Sequence, residues 1–121
     1  MKSATAAAVV ALAVPAVASA ESQTWMVNGG FADQQYQLTC TLEASNGKFA
    51  GPCVSNLDPT PVKAKGSYSN TNWRMSYTFL FQGSSVDVSY MGKPQPDGTV
   101  KGTVDASSPA GSLSGTFVAQ H

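Results

Sequence analysis

The sequence predicts an all-β fold: about eight antiparallel strands in an up-and-down meander, closed as a small barrel and stapled by one disulfide. Three observations predict it. From residue 21 onward apolar and polar residues alternate with period two, and no helical periodicity appears. Turn signals such as Asn46-Gly47, Gly83-Ser84 and KPQPDG separate the alternating runs. Successive runs, paired outward from those turns, keep their apolar residues on one common face.

The first twenty residues, MKSATAAAVVALAVPAVASA, stand outside this pattern. A lysine near the start, an Ala/Val-rich stretch, Pro15 and the closing Ala18-Ser19-Ala20 follow the plan of a secretory signal peptide cleaved before Glu21. The stretch is too short, and too dominated by weakly hydrophobic alanine, to make a good membrane span. The expectation is a signal peptide over residues 1–20, a single domain over residues 21–121, and a secreted or periplasmic location with no membrane span after cleavage. Removing 20 of 121 residues leaves 101, a size that buries roughly 60–65% of its unfolded surface.

The strands follow in order. TWMVNGGF and QYQLTCTLE, turning at Asp33-Gln34, place Phe31 against Tyr36, Gly29 against Leu38, Val27 against Cys40 and Trp25 against Leu42. The next hairpin turns at Asn46-Gly47, a strong turn signal, and sets Ala44 against Phe49, Leu42 against Gly51 and Cys40 against Cys53. A two-residue turn puts Pro52, which has no N–H, at a hydrogen-bonded position; a four-residue loop or a bulge relieves this. After the loop SNLDPTP, a hairpin around residues 69–72 pairs Tyr68 with Trp73, Gly66 with Met75, Ala64 with Tyr77 and Val62 with Phe79. Gly83-Ser84 suits a type II′ turn and sets Phe81, Phe79 and Tyr77 against Val86, Val88 and Tyr90. The last pair brings Val104 near Leu113, Val100 near Phe117, and Gly102 opposite Gly115. Eight such strands close most simply into a barrel, which leaves no edge, with a two-sheet sandwich as the other architecture. Strands shorter than the 9–11 residues that span a bilayer, with a polar outer face, argue against an outer-membrane barrel.

Cys40 and Cys53 are the two cysteines of an exported chain, and pairing is the expectation. The only histidine is His121, so no metal ligand set and no Ser-His-Asp or Cys-His arrangement is available. Glu43, Asp87 and Asp105 fall at outward strand positions, and Asp33, Asp58 and Asp97 fall in turns. No catalytic constellation or cofactor motif emerges, so the chain reads as a non-enzyme. Without Lys2 the chain has six Lys and Arg against seven Asp and Glu, a balance that points away from nucleic-acid partners.

Trp25 near the start of the mature chain, the run of hairpins, and Gly-x-apolar-x-Gly repeated as GKFAG, GTVKG and GSLSG resemble the calycin-type barrels, the lipocalin and avidin group. Small exported bacterial proteins have a similar pattern. The resemblance covers nearly the whole mature chain. It departs at the opening, where lipocalins carry Gly-x-Trp and this chain has Gln23-Thr24-Trp25. It implies an up-and-down barrel with an enclosed interior. The residues expected to line that interior are Trp25, Tyr36, Tyr68, Trp73, Met75, Tyr77, Tyr90 and Phe117, and the expected partner is a small apolar or aromatic molecule. The same aromatics would equally serve as core, since an eight-stranded barrel is only just wide enough for its own side chains. A protein-binding module or protease inhibitor is the alternative, although the tail Glu21-Ser22-Gln23 is short for insertion into an enzyme cleft. Small inward glycines facing large residues would let the sheet curve, and Gly102 beside Gly115 would leave space for a cavity.

Overall fold

A computed structural model of the chain describes residues 21–121, and the expected signal peptide lies outside the described residues. Eight strands follow in chain order: β1 (Glu21–Phe31), β2 (Gln34–Ser45), β3 (Lys48–Ser55), β4 (Val62–Tyr68), β5 (Trp73–Phe81), β6 (Ser84–Pro94), β7 (Val100–Ser108) and β8 (Gly111–Gln120). Each pairs antiparallel with its chain neighbours, and β8 returns to β1, so the sheet closes into a barrel. This closed up-and-down barrel fits a calycin-like fold in general, and a sandwich is excluded.

Alternation places the core. Val27, Leu38, Cys40, Leu42, Cys53, Trp73, Met75, Tyr90 and Val104 point inward and are fully or almost fully buried. The outward positions between them carry Thr39, Thr41, Lys63, Lys65, Arg74, Asp87, Lys101 and Asp105, all exposed. The strands run from 7 to 12 residues, longer than the sequence pattern suggested, so length does not separate this barrel from a lipid-spanning one. The outer surface carries these charged and hydroxyl-bearing side chains on five of the strands. Neighbouring strands are tied there by paired side chains: Thr78 donates to Asp87 (2.7 Å), Ser114 to Asp105 (2.6 Å) and Gln37 to Asn28 (3.0 Å). Among the described residues, no helix is long and apolar enough to cross a membrane.

The disulfide joins directly opposite residues of β2 and β3, Cys40 and Cys53, with Cα atoms 4.0 Å apart. Both sulfurs face the barrel interior. Closing this loop contributes about 3 kcal/mol in the chain-entropy estimate.

Faces agree with the sequence reading throughout, but three registers differ by two residues. The first turn uses Ala32 and Asp33, so Phe31 meets Gln34, Gly29 meets Tyr36 and Trp25 meets Cys40. The β5–β6 turn uses Gln82 and Gly83, both with positive φ (52° and 82°), instead of Gly83-Ser84. The β7–β8 turn uses Pro109 and Ala110, which sets Val104 against Gly115 and Gly102 against Phe117. The Asn46-Gly47 hairpin is a two-residue turn with φ of 56° and 77°, not a four-residue loop. Pro52 is accommodated differently: the β2–β3 ladder breaks opposite Gly51 and Pro52 and resumes at the cysteine pair. The break removes the need for a donor that proline lacks.

Candidate functional site

The barrel is filled at one end and half-open at the other. At the end of the Asn46-Gly47 turn, Trp73 packs against Trp25 (ring centroids 5.4 Å), Phe49 (5.4 Å) and Phe117 (5.6 Å). Trp25 donates its indole N–H to Gln23, and the His121 ring lies 4.4 Å from it, lidding this end. Toward the opposite end the inward side chains become progressively exposed. On β5, Trp73 and Met75 are buried, Tyr77 and Phe79 half-buried, and Phe81 is 59% exposed. Phe31 on β1, Val62 on β4, Val86 on β6 and Ala106 on β7 are likewise half-buried, and Leu113 on β8 is exposed.

Three tyrosine hydroxyls lie between the two halves. Tyr90 from β6 is hydrogen-bonded through its oxygen to Tyr36 of β2 (2.7 Å) and to Tyr77 of β5 (2.9 Å). The three strands supply one inward position each, and the group spans the interior. Burial raises the pKa of all three phenols, most at the enclosed Tyr90, where charge on the neighbouring tyrosines would add to the effect. The hydroxyls are therefore neutral at any ordinary pH.

The wall beside Tyr77 is split. The β4–β5 ladder runs only from Tyr68–Trp73 to Lys65–Ser76. Beyond it, Val62, Lys63 and Ala64 pair with β3 alone, and Tyr77 to Phe81 pair with β6 alone. The expected pairs Ala64–Tyr77 and Val62–Phe79 therefore do not form. The parted strands bound an open groove of about 580 Å³. Val62, Tyr77 and Val88 come from inward positions, Lys63 and Lys65 line one side, and Ser76, Thr78, Asp87 and Ser89 line the other. The chain enters β4 through Pro59-Thr60-Pro61, whose prolines cannot donate to a ladder.

Of the interior residues expected from sequence, Trp25, Trp73, Met75, Tyr90 and Phe117 are buried and build the packed half. Tyr36 and Tyr77 face the open half. Tyr68 is 40% exposed and stacks on Phe49 (6.1 Å) at the rim of the packed end, so it does not reach the interior. The expected cavity beside Gly102 and Gly115 is absent: the two glycines are not partners, and adjoining backbone occupies the space. A Cβ on Gly102 would lie 2.0 Å from the Met91 carbonyl oxygen, and one on Gly115 1.9 Å from that of Gly30. The open space is on the other side of the barrel. Val62, Lys63, Lys65 and Val88 also line the groove; alternation does not mark them as site residues, and the proline-rich approach to β4 is the sequence signal for them.

The tyrosines make alkaline stability diagnostic. Phenols of an unfolded chain ionise near the ordinary value of 10.0, while Tyr77 and Tyr90 ionise only at higher pH in the barrel. The raised native pKa means stability is complete below pH 10 and falls as pH rises beyond it, by about 1.4 kcal/mol per unit for each phenol still protonated. Urea midpoints measured from pH 9 to pH 12 should show this slope, and Tyr77→Phe should reduce it. A flat profile would mean that the phenols are not shielded.

Among the described residues, no three His, Cys, Asp or Glu side chains cluster to hold a metal. Asp87 and Asp105 each accept a hydrogen bond from a cross-strand hydroxyl on the outer face. No family model, curated protein or solved structure matches this chain.

Proposed function

We propose that this barrel is an exported, non-catalytic binder of a small apolar or aromatic molecule, held in the half-open end against Tyr36 and Tyr77 and reached through the groove between β4 and β5. The observation that carries the reading is the groove of about 580 Å³ that opens onto inward residues Val62, Tyr77 and Val88. Small-molecule sites are typically concavities of about 300–1,000 Å³, apolar with a few placed polar groups. The groove has Val62, Tyr77 and Val88 as its apolar part and Lys63, Lys65, Ser76, Thr78, Asp87 and Ser89 as polar walls. Tyr77 joins it to the tyrosine trio through Tyr90, and the overall form resembles the ligand-carrying calycins. Export agrees with the buried disulfide, a bond that persists in oxidising compartments.

Naphthalene is a suitable probe. Titration followed by fluorescence should give saturable one-to-one binding, and Val62→Trp, which fills the groove floor, should abolish it without loss of the barrel's circular dichroism. Absence of saturable binding, or binding indifferent to the plug, overturns the reading.

A second reading, a protein-binding module or protease inhibitor of the envelope or extracellular space, is favoured by the apolar rim of the open end. There Leu57, Leu80, Phe81 and Leu113 are all exposed, and such patches mark interaction surfaces when contiguous. Native mass spectrometry of protein taken from its own host separates the two, by a co-purifying small molecule or a stoichiometric protein.

A further inference from the structure

We infer that the tyrosine trio is a recognition site for a hydroxyl group, so that the bound molecule is a phenol or alcohol carried on an apolar frame. The inference rests on the small-ligand reading above and narrows it.

The argument is a count of hydrogens. A phenol has one hydrogen to donate and can accept as well. Three phenols therefore carry three hydrogens, and two hydrogen bonds join them, Tyr36 to Tyr90 and Tyr77 to Tyr90. Tyr90 is 1% exposed and its hydroxyl has two hydrogen-bond partners among the described residues, Tyr36 and Tyr77, so its own hydrogen is used within the trio. It donates to one neighbour and accepts from the other. The chain then runs either Tyr36 to Tyr90 to Tyr77 or the reverse. Either way one terminal tyrosine keeps a free hydrogen, and the other keeps a free lone pair.

Both terminal oxygens are bonded to the same Tyr90 oxygen, so they lie close together, and both belong to half-buried residues at the open end. Tyr77 also lines the groove. A group that accepts from one terminus and donates to the other closes a ring of four hydroxyls in which every hydrogen is used. A hydroxyl does this, and the chain of three can reverse to suit its orientation. A carbonyl or ether can use only the free hydrogen. An ammonium can only donate, and a carboxylate can only accept; each would also carry its charge into a site of neutral phenols with no opposite charge inside. The apolar frame is set by what surrounds the hydroxyls: Phe31 stacks on Tyr36 at 5.9 Å, and Phe79 leans on Tyr77 at 6.4 Å.

The test compares naphthalene, 2-methoxynaphthalene and 2-naphthol, three probes with one frame, in the wild type and in Tyr36→Phe and Tyr77→Phe. Both substitutions keep the ring and remove only the oxygen, and circular dichroism with urea unfolding verifies that each variant is folded. In the wild type, 2-naphthol should bind at least about tenfold tighter than either of the others, the effect of two well-placed hydrogen bonds. In either variant the advantage of 2-naphthol over naphthalene, both measured in that same variant, should shrink by about tenfold. Equal binding of the three probes overturns the hydroxyl assignment and leaves the small-ligand reading standing. A preference for 2-naphthol that survives both variants overturns it too, by placing the hydroxyl elsewhere. Failure of all three to bind overturns both.

Discussion

Trp73→Ala should cost the barrel about 3–5 kcal/mol, the range for removing a large aromatic from a core. A domain of this size has only about 5–15 kcal/mol in total, so the variant should be marginal or unfolded at room temperature. Trp73 is 2% exposed and touches three other rings, those of Trp25, Phe49 and Phe117, each from a different strand. Aromatic rings on separate strands of a closed sheet cannot collapse into the space an indole leaves, which puts the cost at the high end. Trp73→Phe provides the contrast. The indole N–H of Trp73 is buried with no hydrogen-bond partner, and leaving a donor in that state costs about 1–3 kcal/mol. Phenylalanine gives up part of the packing but also removes the unpaired donor, so its loss should be less than half that of alanine. Urea unfolding of both variants at constant m-value measures this. A loss below about 1 kcal/mol for Trp73→Ala would mean that the packed end is not the anchor of the fold.

How far the sequence could be read follows from the same chemistry. Faces were legible because alternation has period two and an exposed apolar face is costly: every strand buries the side it was expected to bury. Register was less legible, because a slip of two residues keeps every side chain on its face, so only the turn can decide. Where the turn carried a strong signal, as at Asn46-Gly47, the pairing Ala44–Phe49 and the disulfide came out correctly. Ala32 and Gln82 take positive φ at 50° and 52°, a conformation in which neither residue type is common. No local preference announced those turns, and both hairpins were misplaced by two. The groove was illegible for a different reason. It is a failure of pairing between β4 and β5, and pairwise counting assumes that a ladder continues once begun. Of the site, the tyrosines were visible as inward aromatics, but their convergence joins β2, β5 and β6 across the interior, a distance no hairpin register reports.

The second large effect falls at Gly102, where the corrected register reverses the expectation of free space. Gly102 on β7 faces Gly92 on β6 and Phe117 on β8. A Cβ there would sit 2.0 Å from the Met91 carbonyl oxygen and 2.5 Å from the Gly92 Cα. Those are backbone atoms, which no change of rotamer can move. Gly102→Val must therefore push β6 and β7 apart within their ladder, and a closed barrel has no free edge that can swing outward to absorb the shift. Ordinary overpacking costs about 1–3 kcal/mol; this substitution should exceed it, at about 4 kcal/mol or more. Gly92→Val is the internal control. Its nearest contacts are the tips of Phe117 and Val100, both at 2.8 Å, with backbone no closer than 3.0 Å. Side-chain ends can give way, so Gly92→Val should be the milder of the two by at least about 1 kcal/mol. The two glycines are partners in one register, so the ranking rests on what each Cβ meets, backbone at Gly102 and side-chain ends at Gly92. If Gly102→Val is the better tolerated, the β6 backbone does not lie against Gly102 as described, and the packed wall opposite the groove would have to be redrawn. If it is the worse, Gly102 and Gly115, the second glycines of GTVKG and GSLSG, serve to let neighbouring backbones approach closely, which leaves the β4–β5 side as the place where a ligand finds room.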